Sequence, residues 1–181
     1  MAVVPVLPAV VAGAPYPSSS LSAFEAVAAF LLAPPLAELE HTTGTSIPNA
    51  TFTAVPWNIE VYDLPTANKG HSTSVNPSRY TVVYPGVYEM EASPAFTNNL
   101  TGVRICDLRV NGTAINGSRG QIGGNAGSGF PAIIPPRIRK QYFNIGDYVE
   151  AFVYQDSGAP LTLYNVADIG AGSFSIKWVS N

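Results

Sequence analysis

The sequence is short of charged residues, and this shortage narrows the possible functions. Only 12% of its 181 residues are Asp, Glu, Lys or Arg, against roughly 25% in typical soluble domains. The mean hydropathy of +0.16 is high for a chain in water, so we expect partners to cover part of its surface. The net charge of -3 and the pI near 5.2 lack the basic excess of a general nucleic-acid binder.

Cysteine and histidine are equally scarce. Cys106 is the single cysteine, which excludes an intrachain disulfide framework and fits assembly in a reducing cytoplasm. A zinc site needs three or four nitrogen or sulfur ligands, and His41, His71 and Cys106 do not supply a convincing set. No Gly-x-Ser-x-Gly elbow accompanies the histidines. We therefore expect no catalysis, no metal and no cofactor.

Long apolar runs are also missing. No run reaches the roughly 18 residues that cross a bilayer, so we expect no membrane insertion. The first 14 residues are apolar, but Pro5 and Pro8 interrupt them, and the first basic residue is Lys69. A secretory signal peptide, the alternative interpretation, would begin with a basic region. The segment instead predicts an extended arm that docks on another subunit.

Residues 19–32 predict one short helix. Ser22-Ala-Phe-Glu25 matches a capping box, and Pro34-Pro35 ends the run. A helix of this length is unstable alone, so its apolar face must pack on the domain's own sheet or on a neighbouring subunit. The candidate docking residues of the arm and helix are Val4, Leu7, Leu21, Phe24, Val27 and Leu31.

From about Thr51 the pattern changes to apolar runs of strand length. Turn residues such as Pro85-Gly86 and Asn111-Gly112 separate these runs every eight to twelve positions, which is typical of an all-β sandwich or barrel. The predicted strands cover residues 51–55, 57–62, 79–84, 87–92, 102–110, 113–115, 132–143, 148–154, 161–164 and 173–179. We predict an N-terminal attachment arm over residues 1–45 and a β-domain over residues 46–181.

The predicted strand at residues 148–154 is apolar on both faces. Val149, Ala151 and Val153 alternate with the aromatic residues of the other face. A sandwich strand needs to bury only one face, so we expect the second face to pack against a neighbouring protomer. The candidate oligomer interface consists of Tyr148, Phe152 and Tyr154.

Four segments resemble the jelly roll of the complement globular head and the tumour-necrosis-factor superfamily. They are residues 80–88 (Tyr-Thr-Val-Val-Tyr-Pro-Gly-Val-Tyr), 108–112 (Leu-Arg-Val-Asn-Gly), 143–149 (Phe-Asn-Ile-Gly-Asp-Tyr-Val) and 174–178 (Phe-Ser-Ile-Lys-Trp), in the family's order. The resemblance covers about residues 50–181. It implies a jelly-roll β-sandwich and, as is typical of such folds, a homotrimer.

A second resemblance covers about residues 24–181. Residues 30–35, 46–52, 60–63, 71 and 78–80 resemble segments that precede the same jelly roll in small proteins of actinobacterial phages. This resemblance implies a virion protein, of the capsid-decoration or minor-tail type, assembled in the host cytoplasm and located at the virion surface. The chain has no Gly-X-Y repeat, so it lacks the collagen stalk of some complement-type proteins.

Several charged or glycine-rich motifs allow a functional and a structural interpretation. Glu89 and Glu91 could supply a glycosidase acid, or they could form a solvent-facing strand edge. The cluster of Arg137, Arg139 and Lys140 could bind phosphate, or it could be one solvated strand face. The structural interpretation is favoured in both cases.

Loop motifs allow the same two interpretations. Residues 120–129 are glycine-rich, but no Lys-Ser/Thr follows as in a phosphate-binding loop, so they predict a mobile surface loop. Asp147, Asp156 and Asp168 could bind calcium, but they lack the spacing of an EF-hand loop. Turn formation accounts for these aspartates.

Three functions follow from these predictions. The leading hypothesis is a trimeric capsid decoration protein that attaches through its arm to the major capsid protein or another virion subunit. The second is a tail-associated adhesin that binds host surface glycans through exposed tyrosines and the glycine-rich loop. The third, an enzyme acting on cell-wall sugar, lacks a catalytic constellation.

Overall fold

The computed structural model describes residues 4–9, 12–13, 15, 17–125, 130–164 and 172–181. These ranges contain one helix and fifteen strands. The helix is α1 (Ser18–Leu32). The strands are β1 (Leu36–His41), β2 (Ser46–Ile47), β3 (Thr53–Ala54), β4 (Ile59–Leu64), β5 (Arg79–Thr81), β6 (Gly86–Ser93), β7 (Ala95–Phe96), β8 (Asn99–Val110), β9 (Thr113–Ala114), β10 (Gly120–Asn125), β11 (Ala132–Ile133), β12 (Arg139–Phe143), β13 (Tyr148–Gln155), β14 (Leu161–Thr162) and β15 (Gly172–Ser180).

The strands form two main antiparallel sheets. A five-stranded sheet has the order β12-β6-β15-β1-β4. A six-stranded sheet has the path β10-β8-β13-β3, with β5 paired to β13 and β9 paired to β8. Two small pairs, β11-β7 and β14-β2, complete the described strands. Neighbours in the sheets are distant in sequence, as in jelly rolls and unlike simple meanders.

The core lies between the two main sheets. Alternate residues of each strand point inward because strand side chains alternate between the faces of a sheet. Phe174 of β15 stacks on Trp57 with ring centroids 5.8 Å apart, and both side chains are buried. Val149, Ala151 and Val153 of β13 belong to the same continuous hydrophobic cluster. The predicted all-β sandwich is confirmed.

The helix begins and ends close to its predicted bounds, but its start differs in detail. Pro17 is the N-cap residue, and no side chain caps the first turn. Ser22 lies inside the helix, where its hydroxyl contacts the carbonyl of Ser18 at 3.5 Å. The predicted capping box therefore does not form, because the helix already begins at Ser18, four residues before Ser22.

The five-stranded sheet begins within the segment that the sequence assigned to the arm. Strand β1 pairs with β15 on one side and with β4 on the other. Ala37, Leu39 and His41 are buried in alternation with the half-buried Glu38 and Glu40. The extension that precedes the sandwich thus ends at residue 35. The outward residues Glu38 and Glu40 made β1 hard to recognise from the sequence as a core strand.

Two further predicted segments differ from the structure. Residues 132–143 form two strands, since Pro135 and Pro136, which lack backbone N–H donors, lie between β11 and β12. The first half of the predicted glycine-rich loop is β10, which pairs with β8. Residues 126–129 of that loop lie outside the described residues. In the described part of the chain, no helix has the length and apolar character to cross a membrane.

Candidate interaction surfaces

The N-terminal extension contacts the sandwich through a small number of side chains. Phe30 is buried and packs edge-on against Trp178 and Tyr84, with centroid distances of 4.9 Å and 5.3 Å. Val4 joins the same hydrophobic cluster. Phe24 and Val27 are half-buried. One side of the helix therefore packs on its own domain. The sequence alone left open whether the helix packs on this domain or on a neighbouring subunit.

The other side of the extension exposes large apolar residues. Leu7, Leu21 and Leu31, three of the predicted docking residues, are exposed. Val6 and Leu32 are exposed as well, and 86% of Leu32 is accessible. Glu25 is the single charged residue before Glu38, and it is also exposed. The exposed side of the described part of this segment therefore carries one charge, and its other exposed polar side chains are the serines Ser18, Ser19 and Ser22.

The aromatic face of β13 is covered by residues of the same chain. The Arg79 guanidinium lies 4.1 Å from the centroid of the Tyr148 ring, and that of Arg109 lies 4.0 Å from the centroid of Phe152. Tyr154 packs on Phe52 at 5.0 Å. All three rings remain half-buried rather than exposed. Intrachain cation–π and ring contacts thus supply much of the second layer that the sequence analysis assigned to a neighbouring protomer.

On the same face, the buried carboxylate of Asp107 pairs with two arginines, Arg109 and Arg119. Asp107 Oδ1 accepts a hydrogen bond from Arg109 Nε at 2.9 Å, and Oδ2 accepts one from Arg119 at 2.8 Å. The Asp107 side chain is only 2% exposed, whereas that of Arg119 is 53% exposed. Phe52 lies within 5.4 Å of both guanidinium groups. This outer face of the six-stranded sheet presents cations to solvent and hides the carboxylate between them.

The opposite outer face, on the five-stranded sheet, presents carboxylates. Glu38 and Glu91 flank Ser175 in the strand register. They line a shallow cavity of about 300 Å³ that Tyr62 and Ile138 also border. Partial burial raises the pKa of Glu38, with further contributions from Glu40 and Glu91. Glu89 pairs with Lys140 at 3.1 Å. The expected strand edge is wrong, because β6, which carries Glu89 and Glu91, lies between β12 and β15.

Neither histidine is placed as an exposed catalytic base. The His71 side chain is fully buried, and both of its ring nitrogens lie within hydrogen-bond distance of oxygen atoms. His41 is buried on β1. Burial raises the pKa of the Cys106 thiol well above its usual value, so the thiolate is disfavoured. Within the described ranges, no group of His, Cys, Asp and Glu is arranged to hold a metal ion.

Two of the three loop aspartates accept hydrogen bonds from backbone N–H groups. Asp147 Oδ2 accepts a hydrogen bond from the backbone of Asn144, and its Oδ1 accepts one from the Asn111 side chain, both at 2.8 Å. Asp156 Oδ1 accepts a hydrogen bond from the backbone N–H of Val103 at 2.5 Å. Asp168 lies outside the described residues. Turn formation accounts for Asp147, whereas Asp156, directly after β13, binds the backbone of the neighbouring strand β8.

Comparison with known proteins identifies the fold and no closer relationship. No protein-family profile matches the chain, and no curated protein matches its sequence. Three crystal structures of murine APRIL, determined at pH 8.5, pH 8.0 and pH 5.0, are similar in structure, each with a TM-score of 0.54. Their sequence identities to the chain are 14%, 14% and 15%, and each match covers 79% of this chain and 98% of APRIL. The fold is a jelly roll of the tumour-necrosis-factor type.

The jelly roll was predicted from four ordered segments, but the surface contacts were not. The contacts of the outer face of the six-stranded sheet are made by Phe52, Arg109 and Arg119. Phe52 and Arg109 lie within the segments 46–52 and 108–112, but none of the three was predicted as a site residue. Arg109 follows the buried Leu108 in β8 and so occupies an outward position of the strand. An arginine at such a position, beside a strand with an outward aromatic residue, is the one signal that could have suggested this contact.

Proposed function

We propose that this chain is a non-enzymatic structural protein of a bacteriophage virion. In this proposal the jelly roll forms a homotrimer on the virion surface and decorates the capsid. The N-terminal extension, residues 1–35, attaches the trimer to the major capsid protein or another virion subunit. The phage origin is supported by the resemblance of residues 24–181 to small actinobacteriophage proteins.

One observation carries the attachment role: the extension exposes apolar side chains that its own domain does not cover. Leu7, Leu21, Leu31 and Leu32 face solvent although Phe30 is anchored in the core. Scattered exposed apolar residues are normal, but a concentration of them in one segment marks an interaction site. The same segment carries almost no charge, which suits a protein partner better than a nucleic acid.

The free energy available is sufficient for attachment. Complete burial of one leucine contributes about 2 kcal/mol, and four leucines would contribute about 8 kcal/mol before the cost of ordering and association is subtracted. A trimer would present three such segments at once. Simultaneous attachment of several weak segments raises the overall affinity well above that of one.

The trimer is supported by the composition of the outer face of the six-stranded sheet. Arginine and tyrosine are enriched in protein interfaces, and Arg79, Arg119, Tyr148 and Tyr154 are all partly accessible there. Light scattering at micromolar concentration measures the assembly directly. We expect a mass three times that of the 19.1 kDa chain, and a monomeric mass would refute the trimer.

Attachment is tested with virions or capsids that lack the protein. We expect the purified chain to rebind and the Leu21→Ser/Leu31→Ser variant to fail, because two exposed apolar contacts are lost. Leu100→Ser is the matched control, since Leu100 is equally exposed but lies on β8 of the sandwich. Equal rebinding by the double variant and the control would contradict the role of the extension.

The second candidate is a tail-associated adhesin for host surface glycans. The accessible guanidinium groups of Arg79 and Arg119 favour it, because arginine donors bind sugar carboxylates and phosphates. Copy number separates the two functions. Quantitative mass spectrometry of virions should find hundreds of copies for a decoration protein, and a handful would favour the adhesin.

A further inference from the structure

The chain contains two Asn-Gly pairs, Asn111-Gly112 and Asn116-Gly117. The first lies between β8 and β9, the second between β9 and β10, and both asparagines are exposed. In such a pair, the backbone nitrogen of the glycine can attack the side-chain carbonyl carbon of the asparagine, because glycine has no Cβ to hinder the approach. The two pairs share a sequence and an exposed position, so only their contacts distinguish them.

This reaction, deamidation, replaces the side-chain amide by a carboxylate. A bond forms between the glycine nitrogen and the asparagine Cγ, the Cγ–Nδ2 bond breaks, and Nδ2 leaves as ammonia with the proton of the glycine N–H. Water then opens the resulting succinimide ring to aspartate or isoaspartate. Two conditions follow for the folded chain: the asparagine carboxamide must be able to turn towards its own glycine, and the glycine nitrogen must give up its proton.

The carboxamide of Asn111 is fixed by hydrogen bonds. Its Nδ2 donates to Asp147 Oδ1 at 2.8 Å, and its Oδ1 accepts from the backbone N–H of Tyr148 at 3.0 Å. The backbone N–H of Asn111 also donates to the carbonyl of Tyr148 at 3.0 Å. Both ends of the carboxamide are thus tied to another part of the sandwich, and both bonds must break before it can turn towards Gly112.

The carboxamide of Asn116 has no such constraint. Its side chain makes no hydrogen bond to any described residue, and it borders an open cavity of about 410 Å³ together with Gln141. The turn itself is anchored on either side of it, because the backbone N–H of Ser118 donates to the carbonyl of Ile115 at 3.1 Å and the Ser118 hydroxyl donates to the same oxygen at 2.8 Å. The Asn116 side chain can therefore turn towards Gly117 without breaking a contact of the fold.

A cation lies against Gly117 and not against Gly112. A Cβ added to Gly117 would lie 2.5 Å from Nη2 of Arg139 in β12, whereas one added to Gly112 would meet no atom within 4 Å. The Arg139 guanidinium is therefore within about 5 Å of the Gly117 nitrogen, because this nitrogen and a Cβ are bonded to the same Cα. Nη1 of Arg139 donates to the carbonyl of Ile138 at 3.2 Å, and Nε is buried without a hydrogen-bond partner. Among the described residues, no carboxylate forms an ion pair with Arg139.

We propose that Asn116 is a site of spontaneous deamidation in the folded protein, that Arg139 promotes the reaction there, and that Asn111 is protected. Negative charge develops on the Gly117 nitrogen as it loses its proton and attacks Cγ. The unpaired guanidinium beside it stabilises this charge without having to move. The product carries one additional negative charge next to Arg139. This modification goes beyond the proposed virion role and does not depend on it.

Incubation of the full chain at mildly alkaline pH, followed by tryptic digestion and tandem mass spectrometry, measures both sites at once. Cleavage after Arg109 and Arg119 releases residues 110–119 as one peptide that contains both pairs. We expect Asn111 to react about tenfold more slowly than Asn116, because the two hydrogen bonds of its carboxamide must break first. In urea the two rates should become similar, and a sample digested without incubation corrects for deamidation during digestion. Equal rates in the folded chain, or a faster reaction at Asn111, would overturn the proposal.

Variants of Arg139 test its part in the reaction, with circular dichroism to verify that each variant is folded. Arg139→Gln should slow deamidation of Asn116 about threefold, a modest factor because the guanidinium is partly accessible to solvent. Arg139→Lys keeps the charge and should restore most of the rate. Arg137→Gln, the matched control, removes a positive charge from an exposed position of the same segment and should leave the rate unchanged. A wild-type rate in Arg139→Gln, or a rate in Arg139→Lys as low as that in Arg139→Gln, would refute the electrostatic role of Arg139.

Discussion

The N-terminal extension and the sandwich differ in how far their apolar residues are buried. In the sandwich, Leu39, Tyr88 and Phe174 are completely or almost completely buried. In the extension, Val4 and Phe30 reach the core, while Leu31 and Leu32 next to Phe30 remain exposed. The sandwich therefore contributes most of the buried core, and the extension combines one anchored side with one side on which large apolar residues are exposed. Substitutions in the two regions should separate folding from attachment.

The largest loss of stability should follow Trp57→Ala in the sandwich. Trp57 is 1% exposed and stacks on Phe174, so its truncation leaves a cavity that costs about 3–5 kcal/mol. Urea denaturation followed by circular dichroism measures this loss. Val75→Ala, at an exposed loop position, is the control and should change stability by less than about 0.5 kcal/mol. A loss below 1 kcal/mol for Trp57→Ala, a value at the low end for ordinary substitutions, would contradict the core assignment.

A smaller loss should follow Phe30→Ala, which removes the anchor of the extension. Phe30 contacts Tyr84 and Trp178 at the rim of the core, so we expect a loss of about 3 kcal/mol, near the lower end for buried phenylalanine. The unfolding transition should stay cooperative because the sheets remain intact. A loss equal to that of Trp57→Ala would show that the extension is part of the central core.

Glu38→Gln should have a smaller effect that depends on pH. Because burial raises the pKa of Glu38, the folded state binds its proton more tightly than the unfolded state does. Stability is then lost as pH rises through this raised pKa. The variant should consequently melt at a higher temperature than the wild type near neutral pH and at a similar temperature in acid.

Thermal unfolding at several pH values measures this difference. Glu25→Gln is the control for removing one negative charge, because Glu25 is exposed on the helix of the extension. A stabilisation by Glu38→Gln that is the same at acidic and neutral pH would refute the ionisation argument. It would also mean that burial of a carboxyl group does not distinguish Glu38 of the sandwich from Glu25 of the extension.

Sequence patterns predicted the parts of the fold in which alternation is long and regular. β15 was recognised because its apolar and polar residues alternate, and β13 because it is an apolar run of strand length bounded by turn residues. β2 and β7, which lie in no predicted strand, have two residues each, too few for a period. Contacts such as Arg109 with Phe52 and His71 with the Pro77 carbonyl depend on how distant segments or loop backbones meet, and no local pattern encodes that geometry.

The smallest effect on stability should follow Leu32→Ser. Leu32 is the last residue of the helix and is almost fully exposed, so its side chain contributes little to the folded state, and we expect a change below about 0.5 kcal/mol. If the extension attaches the protein to a partner, the same substitution removes about 2 kcal/mol of the binding free energy that burial of the Leu32 side chain would contribute. Affinity should fall more than tenfold in a capsid-binding assay, although the melting temperature is unchanged. Loss of stability with unchanged attachment would reverse the roles assigned to the two sides of the helix.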